Sequence, residues 1–283
     1  MPFVSYTGQM SMEHSFPSPI ERIPESVCKR LVWVFTDIDD TLTTGGLIPP
    51  YAFEALWMLH ERGIGVVPVT GRPAGWCDHI ARMWPVVGVV GENGSFYFAY
   101  DRQKRKMKRR YSLSAAEREE GNRKLVKIRD RVLKEVPGAA VAADQAYRIT
   151  DLAIDFCEDV EPLGREQVAR ICEIAGEEGA VSKVSSIHVN CWYGHFDKVS
   201  CVRLFLEEEG GTSSQAGLER SVFIGDSPND EPMFKDFKHS IGVANLVEFI
   251  ELLEYLPVYI TGRPSSEGFR EAVDVMLRKR DGV

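Results

Sequence analysis

Residues Leu31–Gly46, LVWVFTDIDDTLTTGG, decide the fold. The run opens with near-continuous apolar character from Leu31 to Thr36, too short for a helix. This is how a strand buried on both faces of a parallel sheet reads. At its carboxyl end stand Asp37, Asp39 and Asp40, followed by Thr41 and, shortly after, a glycine pair. Three carboxylates crowded at the mouth of a buried strand repel one another, and a fold tolerates them only with a compensating cation. In open α/β sheets, ligands bind at the carboxyl ends of such strands. The stretch reads as a metal-dependent active site.

Working outward, Pro49–Arg62 places Phe53, Leu56, Trp57 and His60 on one helical face, and Gly63 ends the helix. A strand over 65–69 then runs into Thr70-Gly71-Arg72-Pro73. Pro68 within it argues against a fully bonded central position. Pro73 suits the first turn of a helix, whose amino terminus favours an anion. A plain turn capped by Thr70 explains the same residues. A second Thr-Gly-Arg-Pro at Thr261–Pro264 follows the last expected strand and reads as a coincidental turn. Val86–Val90 leads into Gly91-Glu92-Asn93-Gly94, an Asn-Gly turn entering a hairpin. Asn93 either faces the site or only shapes the turn.

The bulk numbers exclude several classes. At 283 residues the chain accommodates two units, or a core with an insertion. A net charge of −8 argues against wholesale nucleic-acid binding. No apolar run approaches a membrane span, and the first 22 residues carry no secretory-leader pattern. The six cysteines form no CxxC pair or metal-ligand spacing and read as reduced core residues. A cytoplasmic location is the expectation. Residues 1–30 read as an arm without clear periodicity that leads into the first strand, with packing on the core's surface as one reading.

The segment 101–193 changes character and reads as an insertion. Arg102–Arg110 (RQKRKMKRR) reads as the tip and return strand of a hairpin. Its charge discourages edge pairing, with attraction of an anionic substrate as the lesser reading. Ser114 and Glu117 have capping-box spacing ahead of a helix carrying Leu125, Ile128, Val132 and Val136. A strand over about 148–156 follows, then a helix with Val168, Ile171, Ile174 and Ala175, and a last strand from Val184 to Trp192. In that strand Ile187, Val189 and Cys191 share one face, and Ser186, His188, Asn190 and Trp192 the other. With both helices on the apolar face, the polar face is left open, and Asp155 shares it from the neighbouring strand. Three polar or aromatic side chains on one face raise substrate contact to even terms with a structural role.

Beyond the insertion, Lys198 opens a helix running through Val202, Phe205 and Leu206. Ser221–Ile224 is a buried strand ending in Gly225-Asp226-Ser227-Pro228-Asn229-Asp230. Helix-start rules explain Ser227, Pro228 and Asp230, but not Asp226 at the strand terminus. A short strand near Ile241–Val243, a helix Leu246–Tyr255, a strand Val258–Ile260 and a carboxyl-terminal helix to about Arg278 complete the chain.

Asp37-x-Asp39-x-Thr41-Leu42, Thr70-Gly71, Lys198 and Gly225-Asp226-Ser227-x-Asn229-Asp230 resemble, in order, the four motifs of the haloacid dehalogenase (HAD) superfamily. Asp40 replaces the usual glycine, in a turn conformation that Asp tolerates better than most residues. The resemblance covers nearly everything after residue 30. The large insertion is similar to that of subfamily IIB, which holds Cof-like, sucrose-phosphate, trehalose-phosphate and mannosyl-phosphoglycerate phosphatases and phosphomannomutases. It implies an α/β fold: a Rossmann-like core with a parallel sheet (31–100 and 194–283) and an inserted α+β cap (101–193).

The resemblance further implies a Mg2+-dependent phosphatase acting on a small phosphate monoester, a phosphosugar or sugar-acid phosphate, through an aspartyl-phosphate. Asp37 is the expected nucleophile and Asp39 the acid/base, oriented by Thr41. Asp37, the Asp39 carbonyl and Asp226 would hold Mg2+, with Asn229 and Asp230 completing the metal site and orienting Lys198. Thr70, Gly71 and Lys198 form the expected phosphoryl pocket; Arg72, Asn93, His188 and Asn190 are the further candidate substrate contacts. No membrane or nucleic-acid partner is expected. The second carboxylate, Asp39, argues against a dehalogenase. A phosphomutase shares every motif and stays open, as does a non-catalytic binding protein on the same core.

Overall fold

The computed structural model describes residues 16–185 and 187–282; Ser186 and the first half of the expected arm lie outside them. In chain order the first elements are β1 (Ser18–Pro19), α1 (Glu25–Arg30), β2 (Trp33–Thr36), α2 (Pro50–Glu61), β3 (Gly65–Pro68), α3 (Ala74–Met83) and β4 (Val89–Gly91). The hairpin β5 (Phe96–Asp101) and β6 (Lys106–Tyr111) follows, then α4 (Ala115–Glu135), β7 (Ala140–Val141), β8 (Asp151–Asp155), α5 (Arg165–Glu177), β9 (Val181–Val184) and β10 (His188–Trp192). The chain closes with α6 (Lys198–Glu208), α7 (Ser214–Leu218), β11 (Ser221–Gly225), α8 (Glu231–Asp236), β12 (Ser240–Gly242), β13 (Tyr259–Ile260) and α9 (Ser265–Asp281).

The core is a six-stranded sheet in the order β1-β13-β12-β11-β2-β3, parallel throughout. Alternate residues of β2 and β11 explain why these runs are apolar without interruption. Val34, Val222 and Ile224 pack toward Leu56, Phe269 and Met276 on one side. Phe35 and Phe223 pack toward Phe205, Leu206 and Phe237 on the other. Each such side chain contributes about 1.5–3 kcal/mol by leaving water. Pro68 now has its reason: β3 is the edge strand. Val69 N–H bonds Thr36 O while Val87 N–H bonds Val66 O, so the ring nitrogen of Pro68 faces the 87–90 segment rather than β2, and no β2 partner is lost.

Several expectations need correction. The buried face of α2 is Ala52, Ala55, Leu56 and Leu59, while Trp57 and His60 lie on the exposed side, edge to face with each other. The described part of the arm is structured. β1 adds a strand to the sheet and α1 packs on α9, burying Ile20, Ile23, Val27 and Cys28. The single strand expected over 184–192 is two antiparallel strands, β9 and β10. The helix expected over 246–255 is a 3-10 stretch, Ala244–Leu252.

The inserted unit is the antiparallel sheet β7-β8-β10-β9. Leu152, Ile154, Val189 and Cys191 cover α4 and α5 through Leu125, Ile128, Val132, Ile171 and Ile174. Ser114 and Glu117 form the expected capping box at the start of α4. The basic hairpin stays with the core: β5 pairs with both β4 and β6. Its charges are spent on neighbours, Lys108 and Arg110 on Glu208, and Arg109 on Asp78. These pairs favour the edge-protecting reading of the hairpin. No described helix is long and apolar enough to cross a membrane.

Candidate active site

Parallel pairing of β2 with β11 sets Thr36 beside Ile224, and Asp37 N–H continues the ladder to Ile224 O at 2.9 Å. Asp37 and Asp226 therefore leave adjacent strand ends side by side. Lys198, in the first turn of α6, reaches between them. Its Nζ donates to Asp37 Oδ1 at 3.0 Å, Asp230 Oδ1 at 2.7 Å and Asn229 Oδ1 at 3.4 Å. Asp230 Oδ2 accepts the Asp226 N–H at 3.1 Å. The close approach requires glycine at Gly225, where a Cβ would collide with the Asp230 carboxylate. Gly94, at φ +101°, likewise lets the hairpin entry lie against the Asp197 carbonyl that opens α6.

Oxygens of Asp37, Asp226 and Asp230 lie within 4.8 Å of one another, all buried. One ammonium faces three carboxylates, so the nest is short of positive charge. Burial pushes the Asp37 carboxyl up to about 8 against the pull of Lys198, with Asp230 and Asp39 adding to the rise. Burial, then Asp37 and Asp230, drives Asp226 well above the usual carboxylate range. Lys198 is held above its ordinary value: burial alone would lower it, and Asp230 and Asp37 outweigh burial. Hard carboxylate oxygens at this spacing, starved of a cation, are a donor set suited to Mg2+. The chemistry of the site fits a divalent ion.

Thr41 orients Asp226, not Asp39: its hydroxyl donates to Asp226 Oδ1 at 3.0 Å. Asn245, which sequence reasoning missed, donates to Asp226 Oδ2 at 3.3 Å and to Asp40 O at 3.2 Å. Asp40 takes the left-handed turn expected of it, at φ 56°. Asp39 points away from the acidic nest and is gripped by Arg72, whose Nε and Nη2 lie 2.8–3.1 Å from its two oxygens. Arg72 also reaches across to Glu158 of the insertion at 3.2 Å and stacks on Trp76. With Asp144 of the insertion a further 4.0 Å ion-pair partner, Arg72 is already engaged by three carboxylates.

The open face of the inserted sheet looks onto this group. Asp37, Asp39, Arg72, Arg148, His188 and Asn190 line a cavity of about 20 Å3 between insertion and core, room for about one water molecule. The arrangement is closed. His188 lies opposite Asp155 on β8, buried, with Nε2 2.9 Å from Glu158 Oε2 but without hydrogen-bond geometry. Burial, then Arg148, pushes its imidazole below the ordinary value. Asn190 donates to Asp151 Oδ2. Asn93 backs Gly71, where an added Cβ would touch its amide. Trp192 instead stacks on Phe196.

Two charged residues at this junction escaped the sequence reading. Arg148 is paired with Asp144 and Asp151, with only 1% of its side chain exposed, and donates to the Gly71 carbonyl. Glu92 is fully buried. Burial pushes it up to about 7, Asp151 adding, with the donors of Thr150 and Ile149 opposing. The signal for Glu92 was its charge inside an otherwise buried turn.

A family model described as haloacid dehalogenase-like hydrolase matches residues 34–129. The chain is a haloacid dehalogenase-like hydrolase. Among its relatives is the protein named phosphoglycolate phosphatase of Methanobrevibacter smithii, 24% identical over 247 residues, covering 85% of this chain and 96% of the relative. The fold is shared with Thermoplasma acidophilum 0175, at TM-score 0.67 and 18% identity over 87% of this chain and 98% of that one. It is also shared with a haloacid dehalogenase-like hydrolase from Bacteroides thetaiotaomicron, at TM-score 0.60 and 15% identity over 86% and 98%.

Proposed function

We propose that this hydrolase uses Mg2+ and Asp37 to cleave a small phosphate monoester, a phosphosugar or sugar-acid phosphate, leaving inorganic phosphate and an alcohol. The observation that carries the reading is the meeting of Asp37, Lys198, Asp226 and Asp230, drawn from two strand ends, a helix start and a loop. Phosphoryl transfer asks for a positioned nucleophile, charge neutralisation and a proton for the leaving oxygen. The site supplies a group for each.

Lys198 engages Asp37 Oδ1, leaving Oδ2 to attack phosphorus as the bond to the leaving oxygen breaks. Asp39 gives that oxygen a proton. In the second half, Asp39 takes a proton from water as water attacks the aspartyl-phosphate, and the Asp37–phosphorus link breaks. Asp39 can do this only when Arg72 lets go, and an arriving phosphoryl group gives Arg72 a new partner. Thr70, the Gly71 N–H and Lys198 hold the phosphoryl oxygens. Asp37, the Asp39 carbonyl, Asp226 and Asp230 would hold Mg2+, which when bound supplies the positive charge that Lys198 alone does not. Asn229 supports Lys198, while His188 and Asn190 face the leaving group. The likeness to the phosphoglycolate phosphatase named above supports a compact acid phosphate within this class.

A panel of metabolite phosphates, 2-phosphoglycolate among them, with and without Mg2+, tests the reading. Oxygen from labelled water is expected in the released phosphate, and Asp37→Asn is expected to abolish turnover. Transfer of the phosphoryl group to a second sugar hydroxyl without label would make the enzyme a mutase. Full activity in the Asp37→Asn protein would end the covalent route.

A further inference from the structure

The turn Thr70–Arg72 has its carbonyl side tied down completely. Thr70 O accepts the Asn93 N–H at 3.1 Å, Arg72 O accepts the Glu92 N–H at 3.2 Å, and Gly71 O accepts Arg148 Nη1 at 3.0 Å. A planar peptide with its carbonyl fixed has its N–H fixed on the opposite side. The Asn93 bond therefore aims the Gly71 amide, and the Thr70 hydroxyl takes the Arg72 N–H at 3.0 Å. Two of the three donors sit on consecutive left-handed residues, Glu92 at φ 42° and Asn93 at φ 54°. Such a conformation costs about 1–2 kcal/mol per non-glycine residue and persists only where surroundings enforce it.

What enforces it is the Glu92 side chain. Oε1 accepts the Ala74 N–H at 3.0 Å and the Ile149 N–H at 2.9 Å. Oε2 accepts the Thr150 N–H at 2.7 Å and the Thr150 hydroxyl at 2.6 Å. Ala74 starts the helix that follows the turn. Ile149 and Thr150 belong to the insertion and follow directly on Arg148, the donor to Gly71. One buried carboxylate thus joins the turn's helix to the stretch of insertion that completes the turn.

We propose that Glu92 is a positioning residue. It clasps the inserted segment 148–150 to the core so that Arg148 reaches the Gly71 carbonyl, coupling the seating of the insertion to the shape of the phosphate-holding turn. The inference rests on the reading of Thr70–Arg72 as that turn. It makes the 148–150 side the fixed side of the insertion and leaves opening to the side joined by Arg72 and Glu158.

The test is Glu92→Gln in the full chain, because an amide must present its NH2 to two of the four donors. Amide hydrogen exchange at Gly71, Arg72, Ala74, Ile149 and Thr150 should quicken by about tenfold or more, with β2 and β11 unchanged. With p-nitrophenyl phosphate and Mg2+, kcat/KM should fall about 10- to 100-fold, and inhibition by orthophosphate should weaken in step. Arg148→Lys should behave alike, and the double variant should be no worse than the poorer single one. Thr150→Val, which removes one donor, should move the same readouts more weakly and serves if Glu92→Gln does not fold. Unchanged exchange at Gly71 and Arg72, quickened exchange with unchanged kinetics, or additive losses would each overturn the proposal. Were the wild-type protein inactive, the phosphatase reading would fail, while exchange at the turn would still judge the clasp.

Discussion

Replacing Lys198 by Met removes the one cation that the described residues place inside the acidic nest. The ammonium lies 3.0 Å from Asp37 and 2.7 Å from Asp230, with 4% of its side chain exposed. At an effective dielectric of about 20, each contact is worth about 6 kcal/mol of attraction, most of it offset by the desolvation of both partners. Removing one partner of such a buried group costs about 3–5 kcal/mol, because the stranded carboxylates stay where they are. A chain of 283 residues unfolds with an entropy of about 0.6 kcal/mol per kelvin, so the melting temperature should fall by about 5–8 °C. The raised affinity of Lys198 for its proton makes this contribution fully present below the ordinary lysine value, hence throughout neutral pH. Thermal melts of wild type and Lys198→Met, with and without millimolar Mg2+, measure it. Mg2+ should stabilise both proteins, and the variant more, since the ion then stands in for the missing charge. Adding Asp230→Asn to Lys198→Met should recover part of the loss. An unchanged melting temperature without metal, or a double variant less stable than Lys198→Met alone, would refute the claim that this nest is held by charge compensation.

The remaining predictions follow from the same geometry. Asp39→Asn should lower kcat at least about a hundredfold while orthophosphate still binds, measured by steady-state kinetics and inhibition. Glu158→Gln loosens the hold of the insertion on Arg72, leaving only Asp144 at 4.0 Å, and removes a carboxylate that competes with substrate. Orthophosphate should then inhibit about 2- to 5-fold more tightly, corresponding to an ion pair of about 0.5–1 kcal/mol. The Tyr97 hydroxyl, with Lys108 and Arg110 adding, holds Glu208 down to about 2 and so anchors the basic hairpin to α6. That depressed value stabilises the fold above the usual glutamate range and is lost as pH falls through about 2. Glu208→Gln should therefore cost about 1 kcal/mol at pH 7, and progressively less in acid, in urea titrations.

Legibility in the sequence tracked the range of the interaction. The strands carrying Asp37 and Asp226 were readable because a parallel strand buried on both faces must be apolar at every position, whatever its partners. The capping box at Ser114 was readable because it closes within three residues. Thr41 was assigned to Asp39, its near neighbour, whereas its hydroxyl goes to Asp226, 185 residues away. No local rule reaches that far. The face of α2 was misjudged because Trp57 carries more apolar area than Ala52 or Ala55, yet only small residues let α2 lie close to α9. The sequence between β9 and β10 has no glycine, asparagine or proline, and serine, a weaker turn former, was too faint a signal of the reversal.

The two contacts across the junction differ in kind, and the difference bears on how substrate enters. The Glu92 side is made of buried backbone donors, which gain nothing from opening unless water replaces all of them at once. The Arg72–Glu158 contact is an ion pair with a carboxylate about a third exposed, which water and a phosphate can both replace. A cavity of about 20 Å3 cannot admit a phosphate ester without some opening. The weaker contact is the one that should yield, and the group it frees, Arg72, is the one that holds Asp39. On the proposed mechanism, substrate entry and release of Asp39 become one event: a phosphate that displaces Glu158 would also draw Arg72 off Asp39. The structure pairs Asp39 with Arg72, and under that mechanism Asp39 would become available only when there is a phosphoryl group to act on.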